Sequence, residues 1–299
     1  MKKTARVRPN KIRDKGELAY QIIIFSIVAI LSVVCLFPLI FVLGMSFTSE
    51  GEMIAKHYFV IVPEYPITVA YRFIFNNPTF FNSLMISIAR TAVTTVLSIL
   101  FVLIAAFVLA EPKLPGRKAM MVFIIITMMI NGGLIPNYLL LSQLKLLNKF
   151  MVLVLPCLGY TYGILVIKTF IEGIPEEIME SASIDGADDI TKLMQIVAPL
   201  TLPSLAAIAL FTAVGQWNSW FDALVYVRDS SLFPISLFVR NLITASTQQT
   251  VTGAGAMMRM APETIKMASV VVAMAPILCV YPFVQKYFIH GVYTGAVKG

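Results

Sequence analysis

Charge is scarce in this sequence: 13% of its 299 residues are Asp, Glu, Lys or Arg, against about 25% in an ordinary soluble domain. Soft metal ligands are scarcer still. His57 and His290 are the only histidines and lie far apart. Cys35, Cys157 and Cys279 each stand alone in an apolar segment with no CxxC pair, which fits simple packing and predicts no metal site. No GxxxxGK[ST] phosphate loop is present, so the chain has no nucleotide cradle of that kind. No internal repeat is strong enough to carry an argument.

What fills the chain is apolar: 58% hydrophobic residues and a mean hydropathy of +0.84. That composition makes lipid the solvent, and several runs reach the roughly 20 residues that cross a bilayer core about 30 Å thick. Spans are expected at 19–47, 83–110, 119–141, 150–171, 200–221 and 267–289. The first is too long for a secretory signal and reads as a retained helix. Lys2, Lys3, Arg6, Arg8, Lys11, Arg13 and Lys15 put the N-terminus in the cytoplasm by the positive-inside bias, and Lys113, Arg117 and Lys118 fall inside two crossings later. Six spans return the C-terminus to the same side. The net charge of +7 is then mostly topology, and nucleic acid is not expected as a partner.

One acidic stretch does not belong in lipid. From Gly173 to Pro199 the sequence reads as helix, turn, helix. Pro175 suits a first helical position, and Glu176 and Glu177 complement the positive end of a helix dipole. Gly186 falls where a left-handed residue would end that helix. Asp188 or Asp189 then caps a second helix whose Ile190, Leu193, Met194 and Val197 repeat at helical spacing, with Pro199 and Pro203 closing it. A surface helix lying on headgroups favours Lys and Arg on its polar face; this one is acidic, so a protein partner is the better reading.

The run Glu180-Ser181-Ala182, Asp185-Gly186-Ala187, Ile196 and Pro199 resembles the EAA loop of ABC importer permeases, with serine where alanine is usual. Phe81-Asn82-Ser83-Leu84, Gly132-Gly133-Leu134-Ile135-Pro136 with Tyr138-Leu139, and Trp217-Asn218-Ser219-Trp220-Phe221 are similar to the carbohydrate-uptake branch, in particular to MalG-like and LplC-like subunits. So is the tail from Tyr281-Pro282-Phe283 to Gly299. The resemblance implies an all-α membrane protein, a type I importer permease fold of six transmembrane helices. Its parts would be a basic cytoplasmic N-terminus at 1–18, a permease domain at 19–289 and a cytoplasmic tail at 290–299. Within the domain lie a coupling loop at 173–199 and an external loop at 222–267. It also implies a bacterial cytoplasmic membrane, a second and different permease, two ATPase subunits, an external solute-binding protein and a saccharide substrate. ATP and Mg would sit on the partner ATPase, and this chain would be a transport subunit, with no cofactor and no catalytic residue of its own. Glu180, Ser181, Ala182, Asp185, Gly186, Ala187, Ile196 and Pro199 would couple to the ATPase.

Energy must come from a partner or an ion gradient. Asp and Glu are absent from the interiors of the six expected spans, whereas proton-coupled carriers usually bury carboxylates; sodium held by backbone carbonyls stays open. A permease for another solute and an ion-coupled carrier are the alternatives. Candidates for the sugar path are Asn131, Asn137, Tyr138, Tyr160, Tyr162, Trp217, Asn218 and Trp220. Aromatic belts at span ends and a kink at Asn131-Gly132-Gly133 are the plainer explanations. Arg90, inside the second span, is read as an anchor or a helix pair. The 222–267 segment is expected to touch the receptor protein and to form a helix at 232–247. The Gly-rich tail after Phe288 either frays or reaches between the ATPase subunits.

Overall fold

The computed structural model describes residues 15–130, 132–252 and 262–296, with side chains at 15, 17, 246–252 and 280–296 left aside. Lys2 through Arg13, Asn131 and 297–299 therefore lie outside the described residues, as do the side chains of Gln248 and Gln249. Among the described residues the chain is all-helical, without a strand. The helices are α1 (Lys15–Ser46), α2 (Glu50–Ala55), α3 (Val69–Phe75), α4 (Pro78–Ala110), α5 (Arg117–Met129), α6 (Leu134–Gln143) and α7 (Thr161–Glu172). They continue with α8 (Glu176–Ile184), α9 (Asp189–Thr191), α10 (Ala198–Asn218), α11 (Phe221–Tyr226), α12 (Ile235–Thr252) and α13 (Pro262–Ala296).

Among the described residues four helices are long and apolar enough to cross a membrane, and six crossings result if two bent pairs each count as one. The span expected at 119–141, with a kink suggested at Asn131-Gly132-Gly133, is α5 and α6, which meet at 114°. Gly133 sets the break, because its φ of +81° lies outside any right-handed helix. Pro136 then sits in the first turn of α6, where a missing N–H costs nothing. The span expected at 150–171 likewise starts as two short 3-10 turns, Phe150–Leu153 and Leu155–Cys157, bent 44° from α7. The second span begins earlier than expected, at Pro78, where Asn77 accepts a bond from the Thr79 N–H at 3.0 Å and proline occupies the first turn.

Two further expectations are corrected. Pro199 and Pro203 do not end the second hairpin helix. Asp189 to Asn218 is one continuous helix of 30 residues, with a π-helical turn at Lys192–Val197 just before Pro199. A wider turn gives the proline ring room against the preceding carbonyls. Nor does the helix end near Phe288, since α13 runs on to Ala296. Extending a formed helix needs no new nucleus, so the glycines at 291 and 295 are carried along.

Helices α4 and α10 form the centre and run antiparallel. One face of α4 carries Ser83, Ser87, Arg90, Thr94 and Ser98, all buried and spaced three or four apart. Small side chains let neighbouring backbones approach closely, which is how helices pack in lipid. Further along α4 the stripe turns apolar: Val102, Leu103, Ala106 and Leu109 pack with Ile164 and Ile167 of α7 and Leu205 and Ile208 of α10. Helix α1 touches α13 near its end through Phe41 and Met45, while most of its apolar length from Leu18 to Ile40 is exposed.

Candidate functional site

Residues 173–199 build a hairpin at one end of this core. Pro175 is the N-cap of α8 rather than its first helical residue. The helix stops in a Schellman turn. Gly186, at φ +81°, donates its N–H to the Ser183 carbonyl at 3.1 Å, and Ala187 donates to the Ala182 carbonyl at 2.9 Å. Only a residue tolerant of positive φ closes this turn cheaply, and nothing lies within 4 Å of where a Gly186 Cβ would point. The demand is therefore purely conformational. Asp188 caps the next helix by accepting the Thr191 N–H at 2.9 Å. The Thr191 hydroxyl and N–H together hold the Asp188 carboxyl below the ordinary aspartate range.

The two faces of the hairpin differ. Inward, Ala182 and Val197 are buried, and Met179, Leu193 and Ala198 pack on the cluster formed by Leu109, Ala110 and Ile171. Outward, Glu176, Glu177, Glu180, Ser181 and Asp185 are exposed. Two isoleucines flank the turn in the open, Ile184 at 86% and Ile190 at 71% exposure. Ala187 and Ile196 are half-buried and Pro199 is exposed. An apolar tip ringed by acids has no folding rationale inside this chain, and such patches mark contact surfaces. Beside the hairpin the Arg117 guanidinium pairs with Glu172, which Lys168 also holds at 2.7 Å, and the Arg117 Nε donates to the Leu109 carbonyl at 2.8 Å.

The opposite end is closed by Arg90, whose side chain is 0% exposed. Its Nε donates to Gln216 Oε1 at 3.1 Å, and Nη1 donates to the Ser219 carbonyl at 3.2 Å and to Asp222 Oδ1 at 3.3 Å; Nη2 pairs with the other Asp222 oxygen. Arg90 thus joins α4 to the end of α10, and it does not reach for headgroups. Asp222 was hidden from sequence reasoning because it lies just past the expected span boundary. The available signal was Arg90 itself, since a buried guanidinium requires a carboxylate.

The described sugar-path residues occupy several different settings. Trp217 is 9% exposed in the cluster of Ala70, Ile74, Phe80 and Ile235, and its indole N–H donates to the Ala273 carbonyl at 3.1 Å. Asn218 bonds to the Val214 carbonyl of its own helix. Trp220 carries Arg240 over its ring at 4.2 Å. Tyr138 stacks on Tyr226, with ring centres 6.2 Å apart, and Tyr160 lies 6.1 Å from Tyr162. Asn137 is exposed on α6. The helix expected at 232–247 is α12, which starts at Ile235, and its Ile235, Phe238 and Val239 are core. The Ile235 N–H donates to Ser87 Oγ at 2.7 Å. Among the described residues no cluster of three or more His, Cys, Asp or Glu side chains has the arrangement to hold a metal.

No family model matches this sequence. Among curated proteins it is 35% identical to the polygalacturonan/rhamnogalacturonan transport system permease protein YtcP of Bacillus subtilis, covering 94% of this chain and 98% of that one. It is 36% identical to protein LplC of the same organism over 89% of this chain and 90% of that one. Among solved structures it is similar to a chain of a bacterial ABC transporter involved in the import of the acidic polysaccharide alginate. The TM-score is 0.80 at 27% identity, covering 93% of this chain and 100% of that one.

Proposed function

Because the chain belongs to the permease subunits of carbohydrate ABC transporters, we propose that it couples ATP hydrolysis on a separate subunit to the passage of an oligosaccharide or polysaccharide. The observation that carries the proposal is the two-faced hairpin. Its inner face is seated on the transmembrane core, and its outer face offers Ile184 and Ile190 ringed by Glu180 and Asp185. In this reading the outer face docks on the ATPase, and Glu180 and Ser181 stand on the contact side. Ala182, Gly186 and Ala187 hold the turn that presents them.

Force then has a direct route. The helix that begins at the Asp188 cap runs 30 residues to Asn218, about 45 Å at 1.5 Å per residue. A shift of the hairpin moves that rod, and Arg90 transmits the motion to α4 because it grips Gln216 and Ser219 at the far end. Six crossings, with α5–α6 and the 150–172 segment each counted as one, put both termini in the cytoplasm. The exposed length of α1 faces lipid and a second, different permease. A solute-binding protein delivers the saccharide from outside, at the Arg90 end, and the membrane is the bacterial cytoplasmic one.

The saccharide is an acidic one in this reading. Around the cluster of Leu141, Val152, Ala223 and Leu237, which also holds Trp220 and Tyr226, stand Lys145, Lys149, Arg228 and Arg240. In the segments 138–150 and 219–240 that bear them, the acids are Asp222, held in the Arg90 pair, and Asp229. Cations beside aromatic faces suit uronate rings. In proteoliposomes holding the full complex, ATPase activity should rise with receptor protein loaded with oligogalacturonate and stay basal with neutral maltooligosaccharide. Equal stimulation by both would reject the acidic substrate; no stimulation by any loaded receptor, with vectorial uptake driven by an ion gradient, would reject the ATP-driven importer.

A further inference from the structure

An apolar groove lies near the hairpin end, between α4 and α5. It holds about 680 Å³ and is lined by Phe101, Ile104, Val108, Met120, Phe123 and Ile124 among others, with almost no polar surface. On α4 the lining extends from Phe101 to Leu109, about 12 Å along a helix. That matches much of one leaflet's hydrocarbon depth, half of a core about 30 Å thick. Its end is marked by the turn 111–116 and the start of α5. There Arg117 is occupied, by the Leu109 carbonyl and by Glu172. Glu111, the acid of the turn, accepts the backbone N–H of Lys113 at 3.1 Å. Lys113 and Lys118 are exposed, and neither ammonium has an ion pair among the described residues. Lys118 directly precedes Ala119, the first groove residue of α5.

An apolar slot that spans much of a leaflet's depth, with exposed lysines in the adjoining turn and in the first turn of α5, has the chemistry of one kind of ligand. We propose that the groove is a binding site for an anionic phospholipid, its acyl chain between α4 and α5 and its phosphate at Lys113 and Lys118. The inference rests on the chain's place in a membrane and not on which solute it carries. Juxtamembrane cations attract anionic headgroups additively, so two lysines give a preference of about thirtyfold for an anionic over a zwitterionic lipid.

The test is native mass spectrometry of the complete transporter released from nanodiscs of equal phosphatidylglycerol and phosphatidylcholine. The wild type should retain phosphatidylglycerol about thirtyfold over phosphatidylcholine. Lys113→Ala with Lys118→Ala should bring the ratio near one, and Ala119→Trp, which fills the slot from an exposed position, should reduce both lipids. Equal retention in the wild type, a preference indifferent to the two lysines, or retention indifferent to Ala119→Trp would overturn the proposal. So would a Phe123→Cys crosslink to the second permease with no lipid bound, which would give the slot to a protein helix.

Discussion

The two ends of the α4–α10 pair hold their polar groups in opposite ways. At the Arg90 end one ion pair is turned inward: a guanidinium with no exposure is met by Gln216, Ser219 and Asp222. At the hairpin end they face outward, and the apolar side chains beside them, Ile184 and Ile190, are left in the open. The first arrangement spends its polar groups on fixing helices to each other, and the second keeps them free for another molecule. The difference assigns the Arg90 pair to internal transmission and the hairpin to docking, and substitutions at the two places should fail differently.

Loss of one partner of the Arg90 pair should have the largest effect. Asp222→Ala leaves a buried guanidinium without its carboxylate and should destabilise the protein by about 3–5 kcal/mol, read as a large drop in the thermal midpoint of the purified complex. Arg90→Met combined with Asp222→Leu should recover most of that loss, because no orphaned charge remains. Gly186→Val comes next. The left-handed turn costs a residue with a side chain about 1–2 kcal/mol, and with open space at the site no clash adds to it. Transport should be abolished while membrane abundance is largely kept; normal transport would remove the hairpin from the mechanism.

Two smaller effects sharpen the contrast. The hydroxyl of Thr94 is buried in the α4 stripe without a partner among the described residues. The isosteric Thr94→Val should therefore stabilise by about 1 kcal/mol, whereas Ser87→Ala, which strands the Ile235 N–H, should destabilise in the same melting experiment. Ile184→Asp should change stability by less than about 0.5 kcal/mol, as at an exposed position. It should nonetheless uncouple ATP hydrolysis from uptake, measured side by side in proteoliposomes. A variant that melts early but stays coupled would mean that Ile184 belongs to the fold.

The hairpin was the most legible part of the sequence, because its signals are local. A positive-φ glycine, an Asp cap and a helical repeat each act within a turn, and Gly186, Asp188 and Val197 take the places their chemistry requires. Pro199 misled because the structure has a local remedy: it follows a π turn and ends no helix. The break in the third apolar run falls at Gly133, within the Asn131-Gly132-Gly133 kink that the sequence suggested. The Arg90–Asp222 pair was illegible for a different reason: its partners lie 132 positions apart, and no periodicity reports a contact of that range. Trp217 shows the limit of residue type. An aromatic beside an Asn suggests a sugar platform, but its indole N–H is already given to the Ala273 carbonyl across a helix packing that composition does not reveal.

The docking assignment is tested most directly by disulfide crosslinking from the hairpin in the assembled transporter. With Ser181→Cys in an otherwise cysteine-free background, the account predicts a crosslink to the ATPase subunit that forms in the purified complex and changes in yield when ATP is trapped. The matched control, Tyr138→Cys at the opposite end, should give no crosslink to that subunit. An ATPase crosslink from Tyr138→Cys, or none from Ser181→Cys in a complex that still hydrolyses ATP, would contradict it.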